Sequence, residues 1–178
     1  MSHRGSNIEN FSFGQRGTRA TVHIGLVNNL PDNALRATEL QFARLLKEAA
    51  GNFDVRLHLF AMPEIPRGAV AKSRMEGFYA DVATLPDAGM DALIITGAEA
   101  PTDRLKDEPY WPALTRLMDW ADAATVSTLF SCLATHAAVL HFDGIPRRPL
   151  PKKISGVFAS MRATDDPLLA GLPARGAT

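Results

Sequence analysis

The chain has 178 residues, 46% hydrophobic and 21% charged, and its formal net charge is zero. That composition belongs to an ordinary globular protein with enough length for one domain and a real core, and without the basic excess that nucleic-acid binding needs. The single cysteine excludes an internal disulfide and a multi-cysteine zinc site and fits a reducing cytoplasm. No run approaches 18 apolar residues, so no membrane-spanning helix is expected.

Residues 1–19 are polar and rich in Gly and Ser, without the apolar stretch of a signal peptide, and read as a flexible lead-in to one domain over 20–178. Residues 21–27 (TVHIGLV) are short, β-branched and nearly all apolar, the pattern of a strand buried in a parallel sheet. A turn-rich loop follows at 28–33. The helix expected over 35–50 has Leu35, Leu40, Phe42, Leu45 and Leu46 on its apolar side and Arg36, Glu39, Arg44, Lys47 and Glu48 facing water. Residues 53–60 alternate with period two, which predicts a strand near an edge. Residues 62–80 read as a long connection, of the kind that is functional or mobile. A short helical turn is expected at 81–85 and a strand at 91–97 that ends in a glycine loop. A helix at 110–121 tolerates Pro112 in its first turn. Then come a strand at 125–130, a helix at 133–141 and a further strand at 153–158.

Strands alternating with helices imply βαβ units, a mostly parallel, doubly wound α/β sheet and right-handed crossovers. Ligands in such sheets bind beyond the carboxyl ends of the strands. Three polar loops fall at that edge: 28–33, 97–102 and 131–133. The last holds Cys132, between the end of a strand and the start of a helix. There the helix dipole and free backbone N–H groups favour negative charge on a reacting group. Two readings of Cys132 stand at this level: a nucleophile presented at a sharp turn, or a small buried apolar residue.

Several elements recur at a joint spacing. They are Thr96-Gly97-Ala98, Tyr110-Trp111-Pro112, Trp120, the run from Ser127 to Cys132, Ala137-Ala138, Gly144-Ile145-Pro146 and Lys153-Ile154-Ser155-Gly156-Val157. With Asn28-Asn29-Leu30-Pro31 and Thr38, Glu39, Gln41 and Leu45-Leu46, this pattern resembles the homoserine O-acyltransferases of methionine biosynthesis, which transfer succinyl or acetyl groups. The resemblance runs from about Val22 to about Gly171. It implies a fold like that of class I glutamine amidotransferases, with acyl-CoA as co-substrate and no resident cofactor or metal. It also implies a cytoplasmic enzyme and a homodimer. Cys132 falls on the family's nucleophile, which carries the acyl group as a thioester before homoserine's hydroxyl attacks. Lys153 falls on a substrate-binding lysine. The backbone N–H groups of Leu133 and Ala98 fall where an oxyanion hole would form. Pro101 falls on the position that distinguishes succinyl-CoA from acetyl-CoA, where the family carries glycine or glutamate.

The chain departs from the family in one respect. The histidine and glutamate that serve as its base pair, and a substrate-holding arginine, have no counterpart in the 178 residues, so the resemblance implies the N-terminal part of a longer enzyme. His136, four residues after Cys132, reads as a helix residue rather than as a replacement base, and with Cys132 it would make only a two-ligand metal site. Two alternatives stay open: an amidase of the glutamine amidotransferase kind, and a binding module without turnover.

Overall fold

The computed structural model describes residues 11–13, 20–148, 150–152, 154–171 and 175–176. The chain divides into two compact units, Met1–Arg147 and Arg148–Thr178.

The first unit holds a six-stranded, mostly parallel sheet. Its elements in chain order are β1 (Phe11–Phe13), β2 (Thr21–Val27), α1 (Leu35–Ala49), β3 (Asp54–Ala61), α2 (Ala69–Met75), β4 (Tyr79–Asp81), α3 (Leu85–Ala88), β5 (Ala92–Thr96), α4 (Trp111–Ala124), β6 (Ser127–Ser131) and α5 (Leu133–Phe142). The parallel strands lie in the order β3-β2-β5-β6. The chain therefore winds one way from β2 to β3 and the other way from β5 to β6. The reversal falls between β2 and β5, and that is where such sheets open a crevice for ligands.

Alternation along the strands gives the sheet two cores. Leu26, Leu57, Leu59 and Ile94 pack on Ala43, Phe42 and Leu46 of α1. Their chain neighbours Val27, Phe60, Leu93 and Ile95 face the other way, into a larger core with Leu114, Leu117 and Met118 of α4 and Ala134, Ala137 and Leu140 of α5. The period of two thus explains why these strands are apolar throughout. Gly25 lies between the two: a Cβ there would come within 2.6 Å of the Leu93 side chain.

Strand β3 lies near an edge of the sheet, as expected, with only the short β1 and β4 outside it among the described residues. It pairs with β2 along one side and with β1 and β4 along the other. Its polar positions belong to Arg56 and His58, which the sheet satisfies: Arg56 binds Asp54 at 2.9 Å and the His58 ring meets His23 at 3.0 Å. Within the expected lead-in, Phe11–Phe13 forms β1, because its alternate phenylalanines pack on the α1-side core. The long connection carries α2 and β4. Glu39, expected in water, is only 2% exposed, whereas Leu45, expected inside, is exposed.

Glu39 is stable inside because its charge is met on several sides. Arg74 approaches both carboxylate oxygens at 2.8 and 2.7 Å, Tyr79 donates its hydroxyl at 2.8 Å and Arg36 reaches it at 3.1 Å. Such charge-assisted bonds are what a buried carboxylate requires. Burial above all, with the Glu39 hydrogen bond and charge added, pushes the Tyr79 phenol well above its ordinary range.

The second unit has no strand at 154–158, contrary to the sequence reading. Ile154, Val157 and Phe158 are exposed there, so nothing rewards extended pairing with burial. Instead β7 (Ser160–Met161) pairs antiparallel with β8 (Arg175–Gly176). Arg162 binds the Leu169 carbonyl at 3.2 Å and Asp165 at 3.2 Å. Among the described residues, no helix is long and apolar enough to cross a membrane.

Candidate active site

The loops that follow β2 and β5 meet at the reversal point of the sheet. Asn29, fully enclosed after β2, donates its backbone N–H to Thr96 Oγ1 at 2.8 Å and its amide nitrogen to the Thr96 carbonyl at 3.2 Å. Asn28 binds the Leu35 carbonyl at 3.2 Å and the Tyr79 hydroxyl at 3.1 Å. The loop is also clasped from α2's side. Arg67 donates to the carbonyls of Asn28, at 2.8 Å, and of Leu30, and it pairs with Asp32 at 3.3 Å. The Gly68 N–H adds a bond to Asp32 at 2.9 Å.

Cys132 stands between β6 and α5 with φ 60° and ψ −129°. Among the described residues it is the one non-glycine with positive φ. The ψ value takes it out of the left-handed helical well, into territory that only glycine enters freely. A conformation of this kind costs about 1–3 kcal/mol and persists where surrounding structure enforces it. The enforcement is visible. The Gly97 N–H binds the Ser131 carbonyl at 3.0 Å, and Thr135 Oγ1 binds the Phe130 carbonyl at 2.9 Å. The thiol ends up exposed, at the head of a ten-residue helix. The sharp strand-to-helix turn is the backbone form known as a nucleophile elbow.

Gly97 explains how the neighbouring loop reaches this turn. A Cβ at Gly97 would lie 2.6 Å from both the Leu133 N and the Leu133 Cβ. Only glycine lets the end of β5 come this close to the first residue of α5. The backbone N–H groups of Ala98 and Leu133, both named from the sequence, are thereby placed on adjoining segments. Neither is taken by another described residue.

Beside the elbow lies a cavity of about 610 Å³, walled by the loops after β2, β3 and β5. Its lining includes Ala98, Glu99 and Pro101 from the loop after β5, and Asn29, Asp32 and Arg67 from the loops after β2 and β3. Cys132 is not itself in these walls. The connection runs through the 97–98 strip, which touches Leu133 at one end and borders the cavity at the other.

Residues 98–103 are held by Glu108 and Arg147, which sequence reasoning did not single out, and by Tyr110, which it named only as part of a motif. Glu108, 3% exposed, accepts the Thr102 N–H at 2.8 Å and meets the Thr102 hydroxyl. The Tyr110 hydroxyl donates to the Glu99 carbonyl at 3.2 Å. Arg147 donates to the Thr102 carbonyl at 2.9 Å. Burial first, and the Glu108 charge second, push the Tyr110 phenol up to about 12, with Arg147 acting the other way.

Lys153 lies outside the described residues. His136 is exposed on α5. His141 pairs with Asp119 at 2.6 Å, and His23 with His58. Among the described residues no hydrogen bond reaches the Cys132 thiol, and no group of three or more His, Cys, Asp or Glu could hold a metal ion.

Residues 12–177 match the protein family described as homoserine O-succinyltransferase. Curated proteins of that name are similar to this chain. One from Rhodopseudomonas palustris is 54% identical over 152 residues, covering 85% of this chain and 46% of that protein. One from Methylorubrum extorquens is 52% identical, covering 86% of this chain and 45% of its own length. One from Bradyrhizobium japonicum is 48% identical, covering 90% and 50%. The chain spans about half the length of the curated relatives it matches.

Proposed function

This chain belongs to the homoserine O-succinyltransferase family, and we propose that it carries the acyl-accepting centre of a homoserine O-acyltransferase with Cys132 as nucleophile. The observation that carries the proposal is the strained elbow: an exposed thiol at φ 60°, beside a helix N-terminus that Gly97 approaches closely.

In the first half-reaction the sulfur of Cys132 attacks the thioester carbonyl of an acyl-CoA. A C–S bond to Cys132 forms, the C–S bond to CoA breaks, and CoA leaves as its thiol after taking up a proton. The negative charge on the tetrahedral oxygen is met by the N–H groups of Leu133 and Ala98. Removing one such donor typically costs about 10²–10³ in rate. In the second half-reaction the homoserine hydroxyl attacks the acyl-Cys132 carbonyl. O-acylhomoserine leaves, and the hydroxyl proton must be removed on the way. A positioned base contributes about 10²–10⁴-fold to such a step. The names of the relatives support a succinyl donor and homoserine as acceptor; a cytoplasmic enzyme of methionine biosynthesis completes the proposal.

Intact-protein mass spectrometry after incubation with succinyl-CoA tests the reading. The expected result is a single succinyl adduct that peptide mapping places on Cys132 and that Cys132→Ala abolishes. Addition of homoserine should discharge it slowly. A folded sample that gains no adduct from succinyl-CoA or acetyl-CoA overturns the proposal. Glutamine hydrolysis at Cys132 would point to an amidase instead.

A further inference from the structure

Residues 97–103 do two things at once. At one end Gly97 packs against Leu133, the residue after the thiol. At the other, Glu99 and Pro101 face the 610 Å³ cavity. An acyl group on Cys132 that extends toward the cavity must pass this segment first. Loops at such positions are usually mobile, because few internal bonds hold them. This one is fastened at the backbone of Glu99 and Thr102 by three side chains from two separate parts of the chain. Glu108 comes from the turn ahead of α4, Tyr110 from the residue that precedes it, and Arg147 from beyond α5. Glu108 and Tyr110 are buried. The Arg147 guanidinium also approaches the Asp103 carbonyl at 3.5 Å. A buried carboxylate that spends its hydrogen bonds on a loop amide is costly to desolvate, and the outcome here is a rigid wall.

Rigidity matters for selection. An apolar wall discriminates groups that differ by a few atoms only by about 1–3 kcal/mol, and only if it does not yield. We infer that Glu108, Tyr110 and Arg147 are positioning residues that hold the 98–103 segment as a fixed gauge for the acyl group carried toward Cys132. They touch neither the thiol nor the carbonyl under attack; they act through the backbone of Glu99 and Thr102. The inference rests on the acyl-thioester reading above.

The test measures Cys132 acylation by succinyl-CoA and by acetyl-CoA, as a function of donor concentration, in the wild type, Tyr110→Phe, Glu108→Ala and Glu108→Gln. Hydrogen exchange of the 98–103 amides is followed on the same samples. Tyr110→Phe removes one bond, so the ratio of the two donors' efficiencies should fall about threefold to tenfold. The half-saturating donor concentration should rise more than the limiting rate falls, and exchange in 98–103 should quicken. Glu108→Ala should do the same more strongly. Glu108→Gln keeps an oxygen for the Thr102 N–H and should restore most of the wild-type ratio, which a role in bulk stability would not require. An unchanged donor ratio in both Tyr110→Phe and Glu108→Ala overturns the inference while leaving the thioester reading intact. So does an equal loss of rate for both donors with no change in half-saturation. If the folded wild type gains no acyl group from either donor, the proposed function fails and this role fails with it.

Discussion

The two flanks of the sheet are built on opposite terms. Around β3, charged and polar groups have been drawn inside and paired with partners. Glu39 is held by Arg74, Tyr79 and Arg36, and Arg67 clasps the loop after β2. Around β6 the bonding is sparse. Among the described residues the strand pairs only with β5, Leu129 is 53% exposed, and the turn at its end holds a cysteine in a conformation that glycine would prefer. The first flank is a fixed scaffold. The second holds strain and an exposed thiol, which a stable core avoids.

The comparison breaks most visibly on core deletion. Leu57→Ala, in fully buried β3, should cost about 2–5 kcal/mol in a urea titration. The same truncation at Leu129 should cost well under about 1 kcal/mol, because half of that side chain is already in water. Comparable losses at the two sites would mean that β6 is covered in solution. Next in size is Glu39→Ala, which strands Arg74 and the Tyr79 hydroxyl and should destabilise by about 2–3 kcal/mol. If it were neutral, the network would be incidental to the scaffold. A smaller effect, of opposite sign, is expected at the elbow. Cys132→Gly relieves the positive φ but gives the unfolded chain more freedom, for a net gain of about 1 kcal/mol. Cys132→Ala keeps the strain and should gain nothing. A thermal melt that ranks the two variants alike would remove the case for strain.

The phenols add a pH test. Tyr110 titrates near 12 in the folded state, against about 10 in an unfolded chain. The folded state therefore keeps its proton longer, and this contribution to stability is fully present below about pH 10. It is lost as pH rises from there toward 12. Tyr79 shifts in the same direction. Alkaline unfolding should begin in that window and flatten in Tyr110→Phe; an unchanged profile would show that the phenol is not enclosed.

Much of the fold was legible because strand and helix periods are local. Residues 21–27 and 91–97 read as buried strands on their apolar runs, and 127–131 and 133–142 follow the expected strand-to-helix turn at Cys132 within two residues. Glu39 was misread for the same reason. Helical spacing put it with Arg36 and Lys47 on the wet side, and nothing nearby in sequence announces that Arg74 and Tyr79 will arrive to neutralise it. Strand β3 was legible as lying near an edge because Arg56 and His58 interrupt its apolar pattern, but their partners, Asp54 and His23, were not. The tie between Glu108, Tyr110, Arg147 and the 98–103 segment joins positions up to 45 residues apart, beyond the reach of any local pattern.

The sequence by itself determined the α/β class, the alternation that faces each strand to two cores, and the placing of one cysteine where a strand gives way to a helix. These depend on residue type and short-range spacing, which the chain carries directly. Only the tertiary structure decided the reversal of the sheet between β2 and β5, the φ of Cys132, the contact of Gly97 with Leu133 and the burial of Glu39 and Glu108. Each of these is set by groups distant in sequence whose combined packing and charge outweigh local preference.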